Sequence, residues 1–384
     1  MKNLTWQNPE QLFVAQVLIN KVKSKCCGIM TIEKKSCMKC KITLIIPCHN
    51  AASYLPNILN EIKEQEFSDF EVILVNDGDY EQRCFIEHAI EDDSKLRCIE
   101  NKGKGVSAAR NTGMAAADGE WIVFADVDDR LKPCYLKSLY DAVNMKDVEL
   151  AFGGYDKVDC KTGLLTHHNI DEGLCEKRMS IKELISHTEY MRDCFRSVWG
   201  KIYNRIFIMQ HGISFDETTC VAEDWEFNLR IYNHAKYVGI AKENGYVYHF
   251  GNDGSLLNKY HHDFLKRHLL CIELEKALNE KYDSSVMKTK AFDEQKAYAE
   301  LCFDFLKILS SSGCIHSRNE TAAKIEEQLL GNKTLMAALK CHKPERIFRK
   351  MQRLVIMTRC ATLIAVIHII LYKCKRTMRW RKKH

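Results

Sequence analysis

Three apolar runs separated by helix-length segments limit what this chain can fold into. "ITLIIP" (42–47), "FEVILVND" (70–77) and "EWIVFADVD" (120–128) are too continuous for strands with one wet face. Runs of this kind belong to parallel strands covered on both sides. "ASYLPNILNEIKEQ" and "QRCFIEHAIEDD" between them have helical periodicity, and "LRCIE" with "GVSAARNTGMAAADG" adds a short strand and another helix. Strand and helix alternating at this pitch predict an open α/β sheet, mixed but mostly parallel and flanked by helices. Ligands of such sheets bind beyond the carboxyl ends of the strands. Polar clusters stand at those ends: Pro47-Cys48-His49-Asn50, then Asn76-Asp77-Gly78, then Asp126, Asp128 and Asp129.

The last cluster asks for a chemical reason. Asp126 and Asp128, at i and i+2 on an extended backbone, share one side of it. Oxygen ligands so placed suit a hard divalent cation and leave coordination positions for a ligand's phosphates. The plainer reading makes Asp128 and Asp129 turn or cap residues before the helix near "YLKSLYDAV". A second acidic pair, Glu223 and Asp224 in "VAEDWEFNLRIYNHA", precedes an amphipathic segment, where the helix dipole favours carboxylates. Capping accounts for one of the two. The other, far along the chain from the first cluster, fits a general base held apart from a metal-bound leaving group.

Three stretches taken together, "ITLIIPCHNAASYLPNILNEI…FEVILVNDG", "NKGKGVSAARNTGMAAADGEWIVFADVDD" and "SVWGKIYNRIFIMQHGISFDE…AEDWEFNLRI", resemble the family 2 glycosyltransferases. The resemblance spans roughly 41 to 250. It implies the GT-A fold, a Rossmann-like nucleotide-diphospho-sugar transferase, and an inverting transfer from a nucleotide-diphosphate sugar, most often a UDP-sugar. By the same resemblance Pro47 to Asn50 and Asp77 would hold the nucleoside base. Arg110 and Asn111 would line the nucleotide and diphosphate. Asp126 would contact the ribose, and Asp128 would bind Mn²⁺ or Mg²⁺. Asp224 would be the catalytic base. His249 stands where many GT-A enzymes have a metal-binding histidine, and a core or surface role suits it equally. Glu223, Asp129 and Trp199 are expected near the acceptor or behind the site. The implied acceptor is a glycan or lipid-linked sugar of surface polysaccharide synthesis. The chain departs from the family's Asp-Gly-Ser after the second strand, reading "NDGDY", and has Cys48 and His49 where small polar residues are usual. A nucleotidyltransferase is the rival enzyme, but "PCHNAASYLP" lacks the glycine- and lysine-rich triphosphate loop. An inactive sugar-nucleotide or membrane-binding module is the other rival, and the intact acids speak against it.

Charge divides the chain. From Cys341 to His384 there are thirteen Lys or Arg and one acid, Glu345, so this segment carries +12 of a formal +6 and the rest carries −6. A nucleic-acid groove on the body is therefore excluded. The uncharged run from Cys360 to Tyr372, shorter than the roughly 20 residues a spanning helix needs, suggests an interfacial helix flanked by Arg346, Arg349, Lys350 and Arg353. It would make peripheral contact with the inner face of the cell membrane. Eighteen cysteines scattered through apolar segments, behind a first stretch without a signal-peptide pattern, suggest free thiols in a reducing cytoplasm. Cys26, Cys27, Cys37 and Cys40 are poorly spaced for zinc. The expected organisation is an extension over 1–40, with an amphipathic helix from Glu10 to Lys23, and a GT-A domain over 41–255. A helical region over 256–340 and a basic amphipathic tail over 341–384 follow.

Overall fold

A computed structural model describes residues 40–187, 192–219, 221–251, 260–282, 293–309, 317–344 and 346–370. The helix expected over Glu10 to Lys23, Cys26, Cys27, Cys37 and the tail from Tyr372 onward lie outside them.

The apolar runs form the strands expected of them. β1 (Ile42–Cys48) pairs in parallel with β2 (Phe70–Asn76), which pairs with β3 (Leu96–Glu100), while the other edge of β1 pairs with β4 (Trp121–Phe124). Their registers, Cys48 opposite Asn76 and Asn76 opposite Glu100, bring the turns that follow them to one edge. Helix α1 (Leu55–Lys63) buries Leu55, Ile58, Leu59 and Ile62, one stripe at helical spacing. α2 (Tyr80–Ile90) follows β2 and is capped by the Asp79 side chain on the Gln82 amide. α3 (Gly105–Ala116) is built of small residues because it lies almost on the sheet: a Cβ at Gly113 would sit 2.4 Å from the Ile45 side chain.

Beyond β4 the structure adds detail that the run "EWIVFADVD" concealed. The strand stops at Phe124, and a turn closed by the Asp129 amide on the Asp126 carbonyl (3.2 Å) carries the acids. They are therefore not on one side of an extended backbone, and their carboxylates diverge. Nor do they cap a helix: after β5 (Arg130–Leu131), α4 (Tyr135–Val143) begins six residues past Asp129. "VELAFGGYDKV" is two strands, β6 (Leu150–Phe152) and β7 (Tyr155–Asp159), parted by Gly153 and Gly154. β8 (Leu165–His168) and β9 (Arg178–Ser180) follow, then α5 (Ile181–Ser186) and α6 (Arg192–Arg196).

The stretch "SVWGKIYNRIFIMQHG" holds a strand, β10 (Lys201–Asn204), before the short α7 (Arg205–Gln210). β10 runs antiparallel between β4 and β6, with Ile202 opposite Val123 and Ala151. Its place between two buried strands outweighs the helical pattern around it. α8 (Glu223–His234) then returns to β11 (Tyr237–Ile240) and β12 (Tyr246–Phe250). The main sheet has the order β3-β2-β1-β4-β10-β6-β11-β9, and a second sheet has the order β5-β12-β7-β8. The parallel half, β3 to β4, presents the nucleotide-type edge, and antiparallel β10 brings Trp199 to the end of β4.

The C-terminal part is helical: α9 (Phe264–Tyr282), α10 (Glu294–Leu309), α11 (Arg318–Lys324), α12 (Lys333–Cys341) and α13 (Ile347–Met357), then a helix over 361–370. That last helix turns Ile364, Ala365 and His368 into the body, and burial pulls the His368 ring down to about 4. One side of the run from Cys360 is thus core, while Leu363 and Ile370 stay exposed. Among the described residues no helix is long and apolar enough to cross a membrane.

The helix-on-sheet packing is closest at β11, where a Cβ on Gly239 would stand 1.9 Å from the Ala142 carbonyl oxygen of α4. Both partners are backbone, so neither yields without moving an element. We expect Gly239→Ala to destabilise the protein by about 3 kcal/mol, measured by urea unfolding.

Candidate active site

The site is assembled by one buried cation. Arg110, in the middle of α3, is 3% exposed and ion-pairs with three carboxylates. Its Nη2 donates to Asp126 (3.0 Å), and its Nη1 donates to Asp224 (2.6 Å) and Glu223 (3.4 Å). The Phe215 ring lies 5.3 Å from the guanidinium carbon. Burial acts to lower the Arg110 pKa, but Asp224, Asp126 and Glu223 outweigh it and hold the group above its ordinary value. The two acidic motifs, far apart in the chain, are one cluster in space.

Asp224 keeps 24% of its side chain open and takes a long hydrogen bond from the Val198 amide (3.4 Å). It lies in the first turn of α8, where the helix dipole favours a negative charge. Burial nevertheless raises its carboxyl to about 7, with Arg110 opposing and Glu223 and Asp126 adding to the rise. A carboxyl so placed can exchange a proton near neutral pH. The residue before α8, Ala222, is left-handed at φ 57°, an uncommon state for a side-chain-bearing residue, immediately beside the two acids.

Asp129 is turned inward. Its carboxylate accepts from the Tyr246 hydroxyl (2.6 Å) and the His249 amide (2.7 Å), and burial, then Asp126, holds its pKa well above the ordinary value. It braces β12 against the acid turn and does not reach an acceptor. The β12–β5 pairing ends at Val247↔Arg130, and beyond it the His249 amide closes on Asp129. The His249 Nδ1 is buried without a hydrogen-bond partner, and burial lowers the ring's pKa, so the ring is neutral at pH 7. An imidazole nitrogen without a partner, beside the acid turn, is of the kind a divalent cation can take as a ligand. Among the described residues no three His, Cys, Asp or Glu side chains form a ready-made metal cage.

At the other end of the edge, Asn50 is left-handed at φ 52° and exposed, following Pro47 and Cys48 at the end of β1. Asp77 accepts from Asn101 (2.7 Å) and from the Gly105 amide that opens α3 (3.1 Å), so it fixes the mouth of the cleft to that helix. The His49 ring nitrogen lies 2.8 Å from the Asp77 carbonyl oxygen.

Two expected ligand contacts depart from expectation. Arg110 is the counter-charge beneath the acids, too buried to line a diphosphate. Asn111 spends its amide on the neighbouring loop, donating to the Phe215 carbonyl (3.0 Å) and Glu217 (2.8 Å) and accepting from the Phe215 amide (2.9 Å). Trp199 is half-buried in an aromatic stack, 5.0 Å from Tyr246 and 5.2 Å from Tyr248.

Several supports went unread in the sequence. Gln82 ties the first two turns together, donating to the Cys48 carbonyl (2.8 Å) and Asn76 (2.7 Å) and accepting from the Ala51 amide (3.0 Å). Asn228 donates to the carbonyls of Arg196, Ser197 and Asp224, and Lys201 to those of Cys194 and Ser197. Burial pulls the Lys201 amine down to about 8. Together these clamp the segment whose Val198 amide meets Asp224. A buried Lys or Asn inside an otherwise apolar stretch was the available signal, but its partners are distant in sequence.

The model of glycosyl transferase family 2 matches residues 43–212, which hold the parallel strands, the acid turn and β10. The chain carries a family 2 glycosyltransferase domain. Glycosyltransferase GlyA of Streptococcus pneumoniae is 30% identical over 213 residues, 54% of this chain and 30% of that protein. Glycosyltransferase EpsJ of Bacillus subtilis is 27% identical over 208 residues, 54% of this chain and 60% of that one. The chain thus spans less than two thirds of the length of either relative. The poly(ribitol-phosphate) beta-N-acetylglucosaminyltransferase TarS of Staphylococcus aureus is 23% identical over 56% of this chain and 36% of its own. The crystal structure of TarS 1–349 with UDP-GlcNAc superposes with a TM-score of 0.53 at 19% identity, covering 88% of this chain and 92% of that one. The fold is therefore GT-A-like, as the sequence led us to expect.

Replacing Arg110 by Ala leaves three clustered carboxylates without their buried counter-charge. A loss of about 3 kcal/mol in stability is expected, read by urea unfolding at pH 8, with a smaller loss at pH 5, where the raised Asp224 is protonated.

Proposed function

We propose that this chain is an inverting glycosyltransferase that moves a sugar from a nucleotide-diphosphate donor, a UDP-sugar, to a glycan or lipid-linked acceptor in surface polysaccharide synthesis. The observation that carries this reading is Asp224. It is a carboxyl of pKa about 7, opening on a cleft and held by the Val198 amide, with a separate acid turn on the nucleotide side. TarS, which resembles this chain in sequence and fold and has been captured with UDP-GlcNAc, supports a UDP-sugar as donor.

In this reading Pro47, Asn50 and Asp77 form the base-binding end of the edge, and Asp126, a third exposed, faces the ribose. Asp128 and His249 would hold Mn²⁺ or Mg²⁺, which neutralises charge on the departing diphosphate. Asp224 takes the proton from the acceptor hydroxyl as that oxygen bonds to the anomeric carbon and the bond to the diphosphate breaks on the opposite face. Arg110 keeps Asp224 and Asp126 in place without touching the donor. Glu223 and Trp199 stand behind the reacting groups, Glu223 on Arg110 and Trp199 under the ring of Tyr246. Contact with a membrane surface belongs to the same proposal, since a lipid-linked acceptor is found there.

The base must be deprotonated to act, so kcat/KM should rise with pH up to about 7 and then level off. Calorimetry against UDP, GDP and dTDP, each with Mn²⁺ and with EDTA, should find tight binding of UDP only with metal. Asp128→Ala should weaken that binding by at least about tenfold. Asp224→Asn should leave it unchanged while lowering transfer by about a thousandfold, followed as release of the nucleoside diphosphate. Normal turnover by Asp224→Asn would overturn the assignment.

A further inference from the structure

Helix α13 has two unlike faces. On its inner side Gln352 and Ile356 are buried, and Arg349 reaches Glu300 (3.3 Å) and Asp304 (3.5 Å) of α10 with its guanidinium over the Phe303 ring. Arg353 donates to the carbonyls of Leu339 and Lys340 at the end of α12, both at 2.7 Å. These two arginines, expected beside a membrane, are fasteners inside the protein. The outer side presents Ile347, Met351 and Leu354 at 76%, 55% and 65% exposure, an i, i+4, i+7 stripe. Arg346 and Lys350, both exposed, border it. The helix over 361–370 adds exposed Leu363 and Ile370.

An apolar stripe of this size on the surface marks something that covers it. The surrounding charge says what. Arg346 and Lys350 are exposed beside the stripe, and no acid occurs from Arg346 to Ile370. A second copy of this chain meeting the same face would set Arg346 and Lys350 against their own kind. An anionic lipid surface answers both features, taking the stripe into its acyl boundary and the cations at its headgroups.

We propose that the outer face of α13, not the run from Cys360 to Tyr372, seats this protein on an anionic membrane surface. Docking needs neither donor nor metal, so its failure would leave the transfer reading untouched. The test is sedimentation of the full chain with vesicles of phosphatidylcholine alone and with about 30% phosphatidylglycerol. Wild type should bind the anionic vesicles only, and less in high salt. The triple variant Ile347→Ser, Met351→Ser, Leu354→Ser should lose about a hundredfold in partitioning, with an unchanged melting temperature and unchanged UDP binding. Should the triple variant melt early, the single variant Leu354→Glu serves, and it should still bind more weakly. Equal binding by wild type and variants, which would leave the basic end alone as the anchor, overturns the proposal. So does binding to neither vesicle, or a wild-type dimer in ultracentrifugation that the variant dissolves.

Discussion

Arg110 is the interaction on which the rest of the site depends. It sits in a helix of small residues that packs directly on the sheet, so its guanidinium reaches the end of β4 from below. There it meets Asp126 from one motif and Glu223 with Asp224 from another. A buried cation without partners is prohibitively expensive, and so are clustered carboxylates without one. Each solves the other's problem. The cluster leaves one carboxyl, Asp224, poised near neutrality because burial and two neighbouring acids outweigh the attraction of a shared arginine. The cluster thus joins an arginine and acids from segments about a hundred residues apart.

Around that cluster the structure uses backbone carbonyls as anchor points. Lys201 and Asn228 gather the carbonyls of 194–197, holding Val198 against Asp224. The helical C-terminal region contributes as well. Arg267 of α9 pairs with Asp216 (2.5 Å) in the loop before α8 and approaches Glu226 (3.6 Å) within it. The helices past β12 therefore steady the loop that leads into the acidic turn of α8.

The parallel strands and the convergence of their turns were legible in the sequence, because continuous apolar runs have few other folds open to them. The acids at 126 and 224 were singled out by motif and order, and the structure joins both to Arg110. What escaped was orientation. A run such as "EWIVFADVD" does not reveal that the strand stops at Phe124, so Asp126 and Asp128 seemed to share one side of an extended strand when they lie on a turn. Arg110 and Asn111 seemed to face a ligand because they lie in the matched motif, but α3 approaches the sheet so closely that its polar residues point into protein. β10 was hidden because a four-residue strand between two others is specified by its neighbours and not by its own pattern. Arg349 and Arg353 escaped for a similar reason: charge count does not distinguish an arginine facing water from one fastening two helices.

The left neighbour of β10, β4, is complete by residue 124, and Arg110 precedes it, yet Glu223 and Asp224 come only after another hundred residues. A chain emerging from the ribosome can pair β1 to β4 and fold α3 long before its counter-charges exist. Until α8 docks, Arg110 has only Asp126 of its three carboxylates. Docking of α8 and completion of the acidic cluster are thus one event, so the two acidic motifs meet only once α8 is in place.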